Sequence, residues 1–418
     1  MEQAVTSDDW TFIDASTREY THVYHDYPAR MIPQVARKLI HTYGKDAKTL
    51  YDPYCGTGSS LVEGIVEGLD VFGTDINPLA RLIAEAKTDY SLNIDAVPDE
   101  ISNFQSAIFN REANAHIPEI RNVNMWFKEE VLQPLGRIRY YIDEIQEISM
   151  RRFFQIAFSE TVRESSNTRK GEFKLFRYAP EKLKVHLPDP YRIMLSKLER
   201  NLKGYKQFKG IISKLGMKPR ATILGLNSVS EIPCKELPED SIDIVVTSPP
   251  YGDSHTTVAY GQYSRLSSEW LSLINGENID NKLMGGKRLK ELPEFPSKDL
   301  NASIQLIYEN KPQRALEVAS FYSDLYSSIR NASKIIRKGG YACYVVGNRT
   351  VNSVLLPTST AIKEFFESIG FEYVTTHIRE IPNKRMPARN SPTNVAGETS
   401  STMLNEHIVV MKKVNDLL

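Results

Sequence analysis

The residues best placed to do chemistry in this sequence are Ser248, Pro249, Pro250 and Tyr251. They follow Thr247 and the run Ile-Asp-Ile-Val-Val over 242–246, whose apolar, β-branched composition predicts a buried strand. A strand that delivers Ser-Pro-Pro-Tyr to its carboxyl end puts polar acceptors and an aromatic face where open α/β sheets bind ligands. The two prolines fix φ and lack N–H donors, which leaves carbonyl oxygens to face a pocket. Such a device suits gripping a flat, amino-bearing ring. Taken alone, the same residues would also make a plain rigid turn.

A second constellation changes that balance. Residues 49–52 predict a short strand ending in Asp52, followed by Pro53, Tyr54, Cys55, Gly56, Thr57 and Gly58. Glycines there let the backbone approach a ligand closely. Residues 70–75 predict a second strand ending in Asp75, at the distance where an acid takes ribose hydroxyls. The pattern is not GxGxxG, and no phosphate cradle is evident. Two successive strands that each end in an acid predict a nucleoside-binding site.

To position these groups the chain needs a parallel sheet. Helices are expected over 28–40, 61–68 and 77–87, which with the two strands gives a β-α-β-α unit. The rhythm stops after about residue 90. The region 91–220 reads as a largely helical insert, with apolar periodicity over 131–148 and a polar loop over 163–172. Within it Lys197, Arg200, Lys203, Lys206 and Lys209 recur every third residue, and Glu199 is the only acid near them in sequence. The α/β rhythm resumes with a strand over 221–226 and Asn227 at its tip. Residues 275–312 are polar with several glycines and prolines, and predict a flexible loop. A helix over 314–336, a strand over 341–346, a helix over 359–370 and strands over 372–378 and 407–411 complete the reading. The expected domains are a cofactor-binding part over 1–90, an inserted recognition region over 91–220 and a catalytic part over 221–418.

Composition narrows the classes. The 418 residues carry 52 Lys and Arg against 52 Asp and Glu, so overall charge gives no sign of a polyanionic partner. Three scattered cysteines, Cys55, Cys234 and Cys343, have neither disulfide-framework nor metal-ligand spacing, and no metal is expected. Residues 1–9 are polar and acidic, unlike a secretion signal, and no apolar run approaches membrane-spanning length. A soluble, reducing-compartment protein is the expectation.

The order Asp-Pro-x-Cys-Gly-x-Gly, Thr-Asp-Ile-Asn-Pro, Thr-Ser-Pro-Pro-Tyr resembles the S-adenosylmethionine-dependent DNA amino-methyltransferases, and within them the cytosine-N4 group. The resemblance covers about 22–90 and 221–412. It implies a doubly wound α/β fold with a seven-stranded, mostly parallel sheet, S-adenosylmethionine as cofactor and double-stranded DNA as substrate. It also implies a bacterial or archaeal cytoplasmic setting at the nucleoid, with a restriction endonuclease as possible partner. By the same resemblance, Asp52, Pro53, Cys55, Gly56 and Gly58 would wall the methionine part, Asp75 would accept from the ribose, and Ile76 beside Asn77 would pack on the adenine. Asn227 stands where relatives often carry an acid, and Tyr27, Pro28, Ala29 and Arg30 resemble the segment that folds over the methionine end.

The chemistry this implies is positional. An exocyclic base amine is a weak nucleophile, because its lone pair is delocalised into the ring. Acceptors on its N–H bonds, with Ser248 and the Pro249 carbonyl as candidates, favour a pyramidal nitrogen and stabilise charge developing there. Tyr251 would stack on the ring. The target base must leave the duplex stack at a cost of a few kcal/mol. Phosphate contacts are expected from Arg163, Arg169, Lys170, Lys174 and Arg177, from Lys203 and Lys206, and from Lys384, Arg385 and Arg389. Adenine-N6 methylation by the same machinery, RNA base methylation and non-catalytic nucleic-acid binding stay open as alternatives. Pro233-Cys234 lies before the catalytic strand, not at its carboxyl end, which argues against carbon-5 chemistry.

Overall fold

The structure is a computed structural model. It describes residues 10–109, 114–172, 174–230, 232, 235–252, 258–273, 279–381, 389–390, 400–401 and 405–415. The first part runs α1 (Pro33–Tyr43), β1 (Thr49–Asp52), α2 (Ser59–Val66), β2 (Asp70–Thr74) and α3 (Pro78–Thr88). A helical block follows: α4 (Val97–Phe109), α5 (Val123–Trp126), α6 (Glu129–Glu144), α7 (Ile148–Ser165), α8 (Pro180–Val185) and α9 (Pro190–Ile212). Then come β3 (Ala221–Leu224), β4 (Ile242–Thr247), α10 (Tyr260–Trp270), α11 (Lys298–Asn310), α12 (Pro312–Ile335) and β5 (Ile336–Val346). The last elements are β6 (Arg349–Val351), β7 (Val354–Leu356), α13 (Thr358–Glu367), β8 (Phe371–Glu380), β9 (Arg389–Asn390), β10 (Ser400–Ser401) and β11 (Asn405–Lys413).

Seven strands form one sheet in the order β3-β2-β1-β4-β5-β11-β8. Pairing is parallel from β3 through β5, and β11 runs antiparallel to both β5 and β8. Alternation along each strand feeds two cores. Val245, Ala342 and Tyr344 face α11, α12 and α13. Ile244, Val246, Cys343 and Val345 face α1, α2 and the end of α9. A third core joins the helical block to Leu79 and Ile83 of α3 and to Leu266 and Trp270 of α10, so the block is anchored on the sheet domain.

Four expectations need correction. The first helix starts at Pro33, not at residue 28, because Ile32 precedes a proline and is extended, and Pro33 fits the first helical position. The pattern over 131–148 divides into α6 and α7, with Glu147 capping α7 through the Ser149 N–H at 2.9 Å. Residues 163–165 complete α7; the loop starts only after them. The segment 275–312 is not a loop throughout: it contains α11, where Ser297 caps the helix and Leu300, Ile304 and Ile307 bury one face at helical spacing.

Candidate active site

The chain passes from β1 to β2 and β3 on one side of the sheet, and to β4 and β5 on the other. The reversal lies between β1 and β4, and ligands bind outside the carboxyl ends of strands at such a point. Asp52 ends β1, Asp75 follows β2, Asn227 follows β3 and Ser248 follows β4. A cleft opens there. Its lining includes Tyr27, Pro28, Ala29, Asp52, Pro53, Cys55, Gly56, Asp75, Ile76, Asn77, Asn227, Ser248 and Pro250. Gly58, Pro249 and Tyr251 are not among the lining residues.

The floor is tied together by one buried carboxylate. Asp52 Oδ1 accepts from the Tyr54 N–H at 3.0 Å and from the Thr247 hydroxyl at 2.5 Å, and Oδ2 accepts from the Ser60 hydroxyl. Burial raises the Asp52 carboxyl to about 6 against these hydrogen bonds. Asp75 is held by its own loop: Oδ1 accepts from the Asn77 N–H at 2.7 Å and Oδ2 from the Gly56 N–H at 3.1 Å. Burial raises it too, to about 6. Asn77 caps α3 through the Leu79 N–H at 3.1 Å, and its amide donates to the Tyr27 phenol at 2.9 Å. Ala29 holds a φ of +50°, which is costly for a residue with a Cβ, at the lip of the cleft. Asn227 Oδ1 accepts from the Val229 N–H at 3.1 Å, so one of its two lone pairs is engaged within its own turn.

The glycine turn is shaped by steric need at two points. Gly58 has a φ of +76°, and a Cβ there would lie 3.0 Å from the Ala84 Cβ. Gly56, at φ +50°, faces open space, with only the Tyr54 carbonyl within 4 Å of an added Cβ, at 3.9 Å. Beneath the turn, Nζ of the buried Lys87 donates to the Thr57 carbonyl at 2.9 Å, and burial pushes its pKa well below the ordinary value. Glu63, fully buried in α2, takes Nε2 of His22 at 2.8 Å and Nε of Arg37 at 2.7 Å. Burial pushes Glu63 up, but these two partners outweigh it and hold the carboxyl below its usual value. Cys55 and Cys343 are buried free thiols, and burial pushes Cys55 well up, away from nucleophilic use.

Sequence reasoning missed part of the wall. Tyr260 at the start of α10 stacks on Tyr27 with ring centroids 6.0 Å apart, and Lys282, Leu283 and Met284 come from the segment expected to be a loop. Arg30, the last residue of the expected Tyr-Pro-Ala-Arg stretch, does line the cleft. Only the isolated aromatic at the α10 start offered a signal, and no motif singled it out.

The basic residues divide. Arg163 is turned inward: its guanidinium lies 3.8 Å from the Tyr263 ring centroid and donates to the Tyr263 and Glu172 carbonyls. Arg169, Lys170 and Arg177 are exposed and Lys174 half-buried on a small hairpin, where Thr168 bridges Arg177 and the Arg169 N–H donates to the Phe176 carbonyl at 2.8 Å. Lys203 and Lys206 are exposed on α9. The periodic run is not unopposed, because Glu160 and Glu164 of α7 pair with Lys197, and Glu160 also with Arg200. Lys384, Arg385 and Cys234 lie outside the described residues, and of Arg389 only the backbone is described. Among the described residues, no group of three or more His, Cys, Asp or Glu could hold a metal, and no helix is long and apolar enough to cross a membrane.

The cleft's donor set fits a nucleoside with an amino-acid tail. It offers the Asp75 carboxylate, an unobstructed turn at Gly56, and the Thr57 and Ser59 hydroxyls, both buried without a partner among the described residues. A seven-stranded sheet with one antiparallel strand next to its edge, opening such a cleft at the β1/β4 reversal, defines a Rossmann-like class I methyltransferase. The sequence is 42% identical over 422 residues to the Type II methyltransferase M.MvaI of Kocuria varians, covering 96% of this chain and 93% of that one. The chain belongs to the Type II methyltransferases, and its methyl donor is S-adenosylmethionine. A shorter stretch of 69 residues, 16% of this chain and 13% of the relative, is 32% identical to Type II methyltransferase M.MjaII of Methanocaldococcus jannaschii. A solved rRNA methyltransferase, aviRa of Streptomyces viridochromogenes, superposes with a TM-score of 0.35 at 10% identity, covering 93% of this chain and 89% of that one. That likeness is too low to carry an argument. No protein-family profile matches the chain.

Proposed function

We propose that this protein methylates the exocyclic N4 amine of cytosine within a specific double-stranded DNA sequence, as the modification half of a restriction–modification system. The observation that carries the reading is the placement of Ser248 in the same cleft as Asp75 and Gly56, with its neighbour Thr247 bonded to Asp52 at 2.5 Å. When bound, S-adenosylmethionine supplies an electrophilic methyl on a sulfonium centre. Asp75 is the acceptor for ribose hydroxyls, Ile76 packs on the adenine, and the Cys55–Gly58 turn with Tyr27, Pro28 and Ala29 encloses the methionine end. Ser248 and the Pro249 carbonyl accept from the target amine, which stabilises the charge that develops on nitrogen. The Tyr251 ring stacks on the base, a contact worth roughly 1–3 kcal/mol. No strong base is needed, since the methylated amine is acidic enough to lose its proton afterwards. Residues 91–220 form the recognition region. Its exposed Arg169, Lys170, Arg177, Lys203 and Lys206 contact phosphates and offset the cost of extruding the base.

Two measurements test this. DNA methylated by the protein, digested to nucleosides and weighed, should contain N4-methylcytosine; N6-methyladenine in its place would overturn the target assignment. Ser248→Ala should abolish turnover while S-adenosylmethionine binds with unchanged affinity by calorimetry. Full activity in that variant would remove Ser248 from the mechanism.

A further inference from the structure

Behind the Ser-Pro-Pro-Tyr turn lies a carboxylate that the motif does not announce. Glu406, near the start of β11, accepts a hydrogen bond from the Tyr251 phenol at 2.8 Å. The phenol oxygen in turn accepts from the Ser248 hydroxyl at 3.4 Å. Such bonds are commonly long before substrate enters a site. Glu406 Oε2 is ion-paired with Arg379 of β8, and the side chains are only 16% and 8% exposed. The two residues face each other across the β11–β8 ladder, so both are carried by strands.

The direction of donation along this chain follows from valence. An ionised carboxylate accepts and cannot donate. The single O–H of Tyr251 is therefore committed to Glu406. Its oxygen can then only accept, so in the 3.4 Å contact between the two hydroxyls Ser248 is the donor. What Ser248 presents to the cleft is lone pairs alone. We infer that Glu406 is a positioning residue that sets the direction of the Ser248–Tyr251 hydroxyl chain, so that Ser248 meets the target amine as an acceptor only. Burial and the charge of Glu406 push the Tyr251 phenol well above its ordinary value, which keeps it protonated and able to donate. With the chain reversed, the Ser248 proton would point at the amine and compete for the lone pair that must attack the methyl group. Arg379, paired with Glu406 across the ladder, holds it in place. The inference rests on the reading above that Ser248 faces an exocyclic amine.

The test is a double-mutant cycle between Glu406→Gln and Tyr251→Phe. Turnover is measured on unmethylated, high-molecular-weight DNA of mixed sequence with radiolabelled S-adenosylmethionine. A glutamine amide can donate to Tyr251, which lets the chain reverse. Glu406→Gln should lower kcat by about 10- to 100-fold, with the KM for DNA and the Kd for S-adenosylmethionine within about twofold of the parent. Tyr251→Phe keeps the stacking ring but removes the link, and should lower kcat similarly. Adding Glu406→Gln to Tyr251→Phe should then cost nothing more. Losses that multiply in the double variant would mean that Glu406 acts elsewhere, and overturn the inference. So would an undiminished kcat in Glu406→Gln. If Glu406→Gln fails to fold, Tyr251→Phe alone still decides, because full kcat without the phenol oxygen refutes a directed chain. An active Ser248→Ala protein sinks the underlying reading; an inactive one beside a fully active Tyr251→Phe sinks only this inference.

Discussion

Lowering pH should release the cofactor through Asp75. The Asp75 carboxyl is raised to about 6 because it is buried, and its two oxygens are aimed by the Gly56 and Asn77 N–H groups. In the proposed function ribose hydroxyls donate to the ionised form, so binding favours the carboxylate and lowers its pKa in the complex. The apparent Kd then scales as one plus the ratio of protonated to ionised Asp75. With a free-protein value of about 6, that factor is about 1.1 near pH 7 and about 11 near pH 5, a tenfold loss or about 1.4 kcal/mol. The sign is fixed: affinity is full above the raised value and falls as pH drops through it. Asp52 titrates in the same range, but its oxygens are engaged by Tyr54, Thr247 and Ser60, so it contributes little to the slope. Isothermal titration of S-adenosylmethionine across this range gives the slope directly, and Asp75→Asn should bind weakly and flatten it. A wild-type affinity that stays level between about pH 7 and about pH 5, or a slope that survives in Asp75→Asn, would refute the reasoning.

Stability predictions follow from close contacts. A Cβ at Gly204 of α9 would overlap the Tyr20 carbonyl oxygen, so Gly204→Ala should destabilise by about 2 kcal/mol in urea unfolding. Gly210→Ala on the same helix, with nothing within 4 Å, should stabilise by about 0.5–1 kcal/mol; equal effects at the two sites would refute the packing. Glu63→Gln removes the buried carboxylate between His22 and Arg37, while partly exposed Arg37 keeps Glu19 as a partner, and should cost about 1–2 kcal/mol, read by the same unfolding curve; no measurable loss would show the network to be dispensable.

Much of the site was legible because its residues end strands. Asp52, Asp75 and Ser248 follow short apolar runs whose period and composition mark the sheet, and the sheet order brings their ends together. What escaped was set by contacts between distant segments. Glu160 and Glu164 neutralise Lys197 and Arg200 across a helix pair, which no local charge count exposes. Arg163 reads as a phosphate ligand beside other basic residues, yet Tyr263, 100 positions later, draws it inward. The apolar stripe of α11 was masked by the prolines and glycines before it. Glu406 carries no local mark at all, since its partner Tyr251 lies 155 positions away.

The Thr247–Asp52 hydrogen bond joins positions 195 apart, across adjacent paired strands. In the proposed function, methyl seat and acceptor seat are therefore carried on two paired strands of one sheet, whatever is threaded between them. On the same reading, exchanging the intervening helices for others would change what is brought to the reaction without retuning its distances. Selectivity and chemistry can then diverge along separate evolutionary paths within a single polypeptide.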